Sequence, residues 1–298
     1  MRRLIHLMSG ALYVIATPIG NLEDITLRAL RLLGEVDLIA CEDTRHTRKL
    51  LAHFQIATPT ISYHEHNERQ RAAELVARLD AGQRIALVSD AGTPLVSDPG
   101  YRIVQEALAA GVQVVPVPGA SALVTALAAS GLQTDEFYFA GFLPAKSSPR
   151  RARLAALAEI KATLVFYEAP HRINATLADA RAVLGNRHCV VARELTKLHE
   201  EFLRGPLNEI IEEMQSREVR GELVLLVGPL IEGAAATVNQ EAAGSIAEEV
   251  AALMRDEGLE QKAALKRVAR ARGLGKSEVY RRLLAERAAQ EIIPGDVK

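Results

Sequence analysis

Apolar residues in the first 120 positions fall into short runs separated by longer stretches with helical spacing. The runs are "LYVIAT" (12–17), "DLIACED" (37–43), "RIALVSD" (84–90) and "VQVVPVPG" (112–119), and between them lie "ITLRALRLLGEV", "TRHTRKLLAHF" and "RIVQEALAAG". Runs without polar alternation predict strands covered on both faces, and strands alternating with amphipathic segments predict βαβ units in a largely parallel sheet. In such sheets ligands gather beyond the carboxyl ends of the strands. The second half differs: "TLVFYEA" (163–169), "HCVVARELT" (188–196) and "GELVLLVG" (221–228) carry more charge at their ends. The pattern predicts two α/β subdomains, residues 11–120 and 121–232, with a cleft between them. A linker without apolar periodicity follows at 233–245, then a small helical domain at 246–290 broken at "RGLGK".

Two apolar stretches bear on topology. "MRRLIHLMSGALYVIA" begins like an export signal, but His6 and Ser9-Gly10 interrupt it, and "ALYVIA" reads as a first buried strand. Residues 111–132 carry no charge over a span of bilayer length, yet Pro116, Pro118 and Gly119 divide them into strand, turn and helix. No membrane segment is expected. The composition, 49% apolar and 24% charged, is that of a globular protein, and a net charge of −1 leaves nucleic-acid binding to local basic patches. Cys41 and Cys189 are the only cysteines, which argues against a disulfide framework and fits a cytoplasmic location.

Three Gly/Pro turns close successive strands: "TPIGN" (17–21), "SDAGTP" (89–94) and "PVPGAS" (116–121). Neither GxxxxGK[ST] nor GxGxxG occurs in the chain. Asp90 and Asp98 would repel a pyrophosphate, and no lysine in the turn offsets them. Carboxylates there suit a ligand that is cationic or rich in hydroxyls, such as S-adenosylmethionine. Gly92 permits close backbone approach, and Pro94 fixes the turn.

In chain order, "TPIGNLEDIT", "CEDTRHTRKLL", "YHEHNE", "SDAGTPLVSDPG", "GFLPAK", "YEAPHR" and "ARELTK" resemble the RsmI family of ribosomal RNA methyltransferases, in the tetrapyrrole-methylase superfamily. The resemblance covers Leu12 to Gly228, departing slightly at "PGAS" and "EAP". It implies 2′-O-methylation of a cytidine ribose in the decoding region of 16S rRNA within the assembled small subunit, with S-adenosylmethionine, by a homodimer. With the strand-end rule, it sets out a cofactor site of Pro18, Asp90, Gly92, Thr93, Pro94, Ser97, Ala120, Ser121, Tyr167, Glu168, Ala192, Arg193 and Glu194.

A ribose hydroxyl is a poor nucleophile and needs a base. Glu42, Asp43, Glu168 and Glu194 are the carboxylates at strand ends, and Arg45 or Lys197 would stabilise a developing alkoxide. Asp43 also reads as a helix cap. His64 and His66 in "YHEHNE" are too few for a metal site, and methyl transfer from a sulfonium requires none. Lys146, Arg150, Arg151 and Arg153 in "KSSPRRAR" read as phosphate contacts. So do Lys262, Lys266, Arg267, Arg270, Lys276, Arg281 and Arg282, in a helix-turn-helix-like tail where residues 261–287 hold nine Lys/Arg against two Glu. Two alternatives stay open: a small-molecule (tetrapyrrole) methylase of the same superfamily, and a non-catalytic RNA-binding protein of ribosome assembly.

Overall fold

The computed structural model describes residues 10–229, 246–256, 258–271, 279–281 and 283. The chain divides into two compact units that meet at residues 230/231.

In the first unit, β1 (Ala11–Ile15), β2 (Leu38–Cys41), β3 (Thr60–Ser62), β4 (Arg84–Val88) and β5 (Gln113–Val117) form a wholly parallel sheet in the order β3-β2-β4-β1-β5. Its central strands β2 and β4 are buried on both faces, as their apolar runs require, while the edge strands β3 and β5 are partly exposed. Leu38, Ala40, Ile85 and Leu87 face α3 (Glu68–Asp80) and α4 (Tyr101–Ala109). Their neighbours Ile39, Cys41, Ala86 and Val88 face α1 (Leu27–Glu35) and α2 (Thr44–His53). Thr26 starts α1 by accepting the Ala29 N–H at 3.1 Å, and Asp43 starts α2 by accepting the Arg45 N–H at 2.8 Å.

The second sheet is mixed, in the order β6-β7-β10-β8-β9. Its strands are β6 (Phe137–Phe142), β7 (Thr163–Glu168), β8 (His188–Arg193), β9 (Glu201–Pro206) and β10 (Leu223–Val227). β10 runs antiparallel to both β7 and β8, β8 runs antiparallel to β9, and only β6 and β7 are parallel. The expectation of largely parallel pairing therefore holds for the first sheet alone. The sequence pattern also missed β9: an edge strand with charged residues and a terminal Gly-Pro lacks the apolar run that marks a central strand.

Leu164, Phe166, Val191 and Leu225 pack under α6 (Ser147–Leu157), α7 (Ile173–Leu184) and α8 (Leu207–Gln215). On the opposite face, Val165, Val190, Val224 and Leu226 meet α5 (Ala122–Ser130) and Ile19 from the turn after β1. That one isoleucine fastens the end of the first sheet to the face of the second.

In the second unit, α9 (Ile246–Asp256) and α10 (Gln261–Ala271) share a core of Ile246, Val250, Ala264, Leu265 and Val268 with Val279 and Leu283. The linker 233–245 and the "RGLGK" turn lie outside the described residues.

The connection from the acidic turn of β4 into α4 is fixed from below by Tyr63. Gly100 precedes α4 at φ 142° and has no side chain to cap it. The buried Tyr63 hydroxyl accepts the Ile103 N–H at 3.3 Å, and burial raises its pKa to about 12. Tyr63→Phe leaves that buried amide unpaired and should cost about 1–3 kcal/mol in urea denaturation. An unchanged midpoint would show that the hydroxyl does not anchor the helix.

Candidate functional site

The turns after β1, β4 and β5 are joined by their backbones. Thr17 and Gly92 exchange both hydrogen bonds (2.9 and 3.0 Å), an isolated antiparallel bridge outside the sheet ladder. The Thr17 hydroxyl donates to the Ser89 carbonyl at 3.2 Å, and the Thr93 hydroxyl to the Ala120 carbonyl at 3.2 Å. Gly92 adopts φ 80°, and a Cβ there would press on Ile19 Cγ2 at 3.3 Å. Glycine is required at that crossing.

Behind these turns a cleft of about 360 Å³ opens between the two sheets. Its first wall includes Gly92, Thr93, Ser97 and Asp98, and its second includes Ser121, Phe142, Tyr167, Glu168 and Leu195. Its lining side chains include the carboxylates Asp98, Glu168 and Glu222 and no Lys or Arg. A pyrophosphate would meet the negative charge of Asp98 with no cation in the lining to offset it, whereas a cationic ligand with ribose hydroxyls fits the donors and acceptors offered. Four of the five described non-glycine residues at positive φ lie in the two loops that meet here: Leu95 (72°), Ser97 (66°), Glu194 (51°) and Thr196 (65°). Such conformations cost on the order of 1–3 kcal/mol each and gather at functional sites.

Glu42, Asp90 and Asp98 form an acidic rim. Asp90 Oδ1 accepts the Asp43 N–H at 3.0 Å, tying the ends of β2 and β4. Burial, then the charges of Glu42 and Asp90, push Asp98 up to about 6. Burial and Asp90 also raise Glu42. Asp43 behaves oppositely: side-chain and backbone hydrogen bonds from Arg45 hold it well below the usual carboxylate range. Asp43 and Arg45 are thus a helix cap and its exposed ion pair (2.8 Å).

Of the thirteen cofactor residues expected from sequence, Gly92, Thr93, Ser97, Ser121, Tyr167 and Glu168 line the cleft. Pro18, Asp90, Pro94 and Ala120 belong to the turns behind its wall. Ala192 lies in the core beneath it, and Arg193 turns away to pair with Glu201 at 2.9 Å. Glu194 accepts the Lys197 ammonium (2.8 Å) and the Glu222 N–H (3.0 Å), and a side chain at Gly221 (φ 89°) would overlap its carboxylate. Hydrogen bonding from Lys197 lowers Glu194. Burial would lower Lys197, but hydrogen bonds to Glu194 and Glu222 prevail and raise it.

Glu168 is corrected as a base. It accepts the Thr176 hydroxyl (2.6 Å) and the Ala169 N–H (2.8 Å) and pairs with Arg172 (3.2 Å), so its buried carboxylate is fully engaged. Arg150 is corrected as an RNA contact: it is buried and doubly bonded to Asp179 (2.8 and 2.7 Å). Lys146, Arg151 and Arg153 on the same segment are exposed. In the second unit Lys262, Lys266, Arg267 and Arg281 are exposed, while the side chain of Arg270 and all of Lys276 and Arg282 lie outside the described residues. His64 and His66 touch edge to face at 5.9 Å, and among the described residues no group of three metal-binding side chains occurs.

Sequence reasoning placed Asp98 in the ligand turn without assigning it a contact, and omitted Phe142, Leu195 and Glu222. Asp98 was legible, since it closes the same acidic turn as Asp90. Phe142 and Leu195 read as ordinary core residues, and Glu222 precedes a strand with no motif around it.

The strained charge of Asp98 has a thermodynamic signature. Its folded pKa is raised, so ionisation penalises the fold above pH 6, and the penalty disappears well below the unfolded carboxylate pKa. Asp98→Asn should therefore stabilise the ligand-free protein at pH 7.5 by about 1 kcal/mol, after discounting for partial exposure. That gain should shrink towards pH 4. Equal stability at pH 7.5 in denaturant titrations would mean that the rim carries no strained charge.

The Tetrapyrrole (Corrin/Porphyrin) Methylases family matches residues 11–211. A ribosomal RNA small subunit methyltransferase I of Halalkalibacterium halodurans is 49% identical over 91% of this chain and 93% of its own length. The Pseudomonas aeruginosa protein of that name is 48% identical over 93% and 97%. Among solved structures, a Thermus thermophilus uroporphyrin-III C-methyltransferase complexed with S-adenosylhomocysteine superposes with a TM-score of 0.53 over 74% of this chain and 97% of that one. At 22% identity it speaks to the fold alone. The two-sheet unit and its strand-end turns are thus those of a tetrapyrrole methylase, and the chain belongs to the ribosomal RNA small subunit methyltransferase I family.

Proposed function

We propose that this protein methylates the ribose 2′-hydroxyl of a cytidine in the decoding region of 16S rRNA within the assembled small ribosomal subunit, acting in the cytoplasm as a homodimer and using S-adenosylmethionine. The observation that carries the reading is the cleft itself: in a chain of this family it offers carboxylates and hydroxyls and no cation among its lining side chains. Bound there, S-adenosylmethionine supplies a methyl on a positively charged sulfur, which departs as neutral S-adenosylhomocysteine.

The chain's own residues orient and deprotonate. Gly92 lets the ligand approach the backbone, while Thr93, Ser97 and Ser121 offer hydroxyls to its polar groups. Holding donor and acceptor in line is worth on the order of 7–11 kcal/mol for well-oriented reactants. The hydroxyl proton passes to an Asp98 carboxylate oxygen, since Asp98 lines the cleft and has an affinity for protons raised to about 6. Asp43, Glu168 and Glu194 are committed to other partners, and Glu42 supports Asp98 through its charge. Exposed Lys146, Arg151 and Arg153 meet phosphates outside the cleft.

Transfer of labelled methyl is the direct test. Incubated with assembled small subunits, naked rRNA or tetrapyrrole precursors, the protein should label a ribose 2′-oxygen of the subunits. Label on a tetrapyrrole would establish the small-molecule alternative, and cofactor binding with no transfer would establish an assembly role.

The pH profile tests the base. Asp98 acts when ionised, so kcat should climb through pH 6 to a plateau. Asp98→Asn should lower the plateau by about 10²–10⁴-fold and flatten the acid limb. If the variant keeps the wild-type acid limb, the proton goes elsewhere.

A further inference from the structure

Strand β6 breaks its pairing with β7 at one place. Phe139 pairs Val165 and Phe142 pairs Tyr167, so three steps along β6 match two along β7. The extra residue is accommodated by Gly141 at φ 63°, where an added Cβ would lie 3.3 Å from Ser97 Oγ in the strained loop of the first sheet. Side chains alternate faces along a strand, so one inserted residue reverses the parity of everything after it. Ala140 packs towards α6 and α7, and an unbroken strand would send Phe142 after it. The bulge instead turns Phe142 to the face of Phe139 and into the cleft wall.

There its ring meets Tyr167 edge to face at 5.7 Å, and Tyr167 is braced by Phe139 at 4.9 Å and by a hydrogen bond with the Leu123 backbone. Phe142 remains 56% exposed, so one face of its ring is open at the cleft wall. Cations follow this strand in the chain, the one in contact with it reaching Tyr138 on the Ala140 face. Arg153 lies over the Tyr138 ring at 6.0 Å and donates to its hydroxyl at 3.3 Å, and Lys146 and Arg151 are exposed beside it in sequence. The cleft behind Phe142 has acidic and no basic lining side chains, so phosphates must stay outside while an uncharged base can enter.

From this arrangement we infer that Phe142 is the stacking platform for the acceptor nucleotide's base. The base leaves its own stack, lies on the open face of Phe142, and thereby sets its ribose in the cleft while the flanking phosphates rest on Lys146, Arg151 and Arg153. The inference rests on the RNA reading above and adds the residue that fixes the substrate.

Steady-state methylation of small subunits, cofactor calorimetry and sedimentation of Phe142 variants test it. Phe142→Ala and Phe142→Leu should raise the KM for subunits about tenfold, the scale of one lost base–aromatic stack. Phe142→Tyr and Phe142→Trp should restore it, with the cofactor Kd within threefold of wild type throughout. A wild-type KM in Phe142→Leu would overturn the proposal, because apolar bulk would then suffice. A cofactor Kd weakened more than threefold would overturn it in favour of the cofactor's own adenine. A change of oligomeric state with an unchanged subunit KM would overturn it in favour of a second copy of the chain. Failure of the wild-type protein to methylate any RNA is a separate result and strikes the RNA reading itself.

Discussion

Two hydrogen bonds between Thr17 and Gly92 are the constraint on which the site depends. They lie beyond the ladder of the first sheet, where β1 and β4 would otherwise diverge into independent loops. Once they form, Thr17 reaches Ser89, Ser89 reaches the Ala91 and Gly92 carbonyls, and Ile19 is carried onto the second sheet. Backbone polar groups in this crossing are satisfied by one another. The crossing can therefore hold a fixed shape with strained neighbours at Leu95 and Ser97. A loop free to relax would lose those conformations first.

The same rigidity lets like charges stand together. After burial, the charges of Glu42 and Asp90 raise Asp98, and that of Asp90 raises Glu42. Nearby carboxylates without a functional burden are handled differently: Asp43 holds Arg45, Glu194 holds Lys197, and Asp179 holds Arg150. Glu168 and Glu222 line the cleft and still hold Arg172 and Lys197, whereas Asp98 faces it beside two further carboxylates, Glu42 and Asp90. On the proposed reading, stability is given up at the rim for binding and proton transfer, a common exchange at active sites.

The first sheet was legible in the sequence because its central strands are apolar on both faces and β1, β4 and β5 each end in a Gly/Pro turn. Three such turns located the rim, and their carboxylates excluded phosphate. The second sheet was less so. Its direction changes leave no mark in hydropathy, and the edge strand β9 looks like a charged loop. Among site residues the errors share a cause. Arg150 and Arg193 were assigned to ligands from their residue type and position near strand ends, but partners distant in sequence (Asp179, Glu201) already claim them. Charge patterning shows which groups are available to interact and is silent about which tertiary contact reaches them first. Phe142 went unseen for another reason: its orientation depends on a one-residue bulge, and a register shift has no signature in a single chain.

On the proposed reading, that bulge also explains how one cleft would serve two chemically opposed ligands. A cationic donor and a polyanionic acceptor cannot share one electrostatic surface, since whatever attracts one repels the other. Here the acids line the interior, whereas Lys146, Arg151 and Arg153 follow the edge strand outside it. Only a group without charge can cross from one zone to the other, and a nucleoside's base and sugar are such a group. An edge strand is the natural place for the transition, because β6 is hydrogen-bonded on one side only and can absorb an extra residue without breaking a second ladder. With Gly141 closing against Ser97, the irregularity joins the two sheets at the point where the nucleotide must pass.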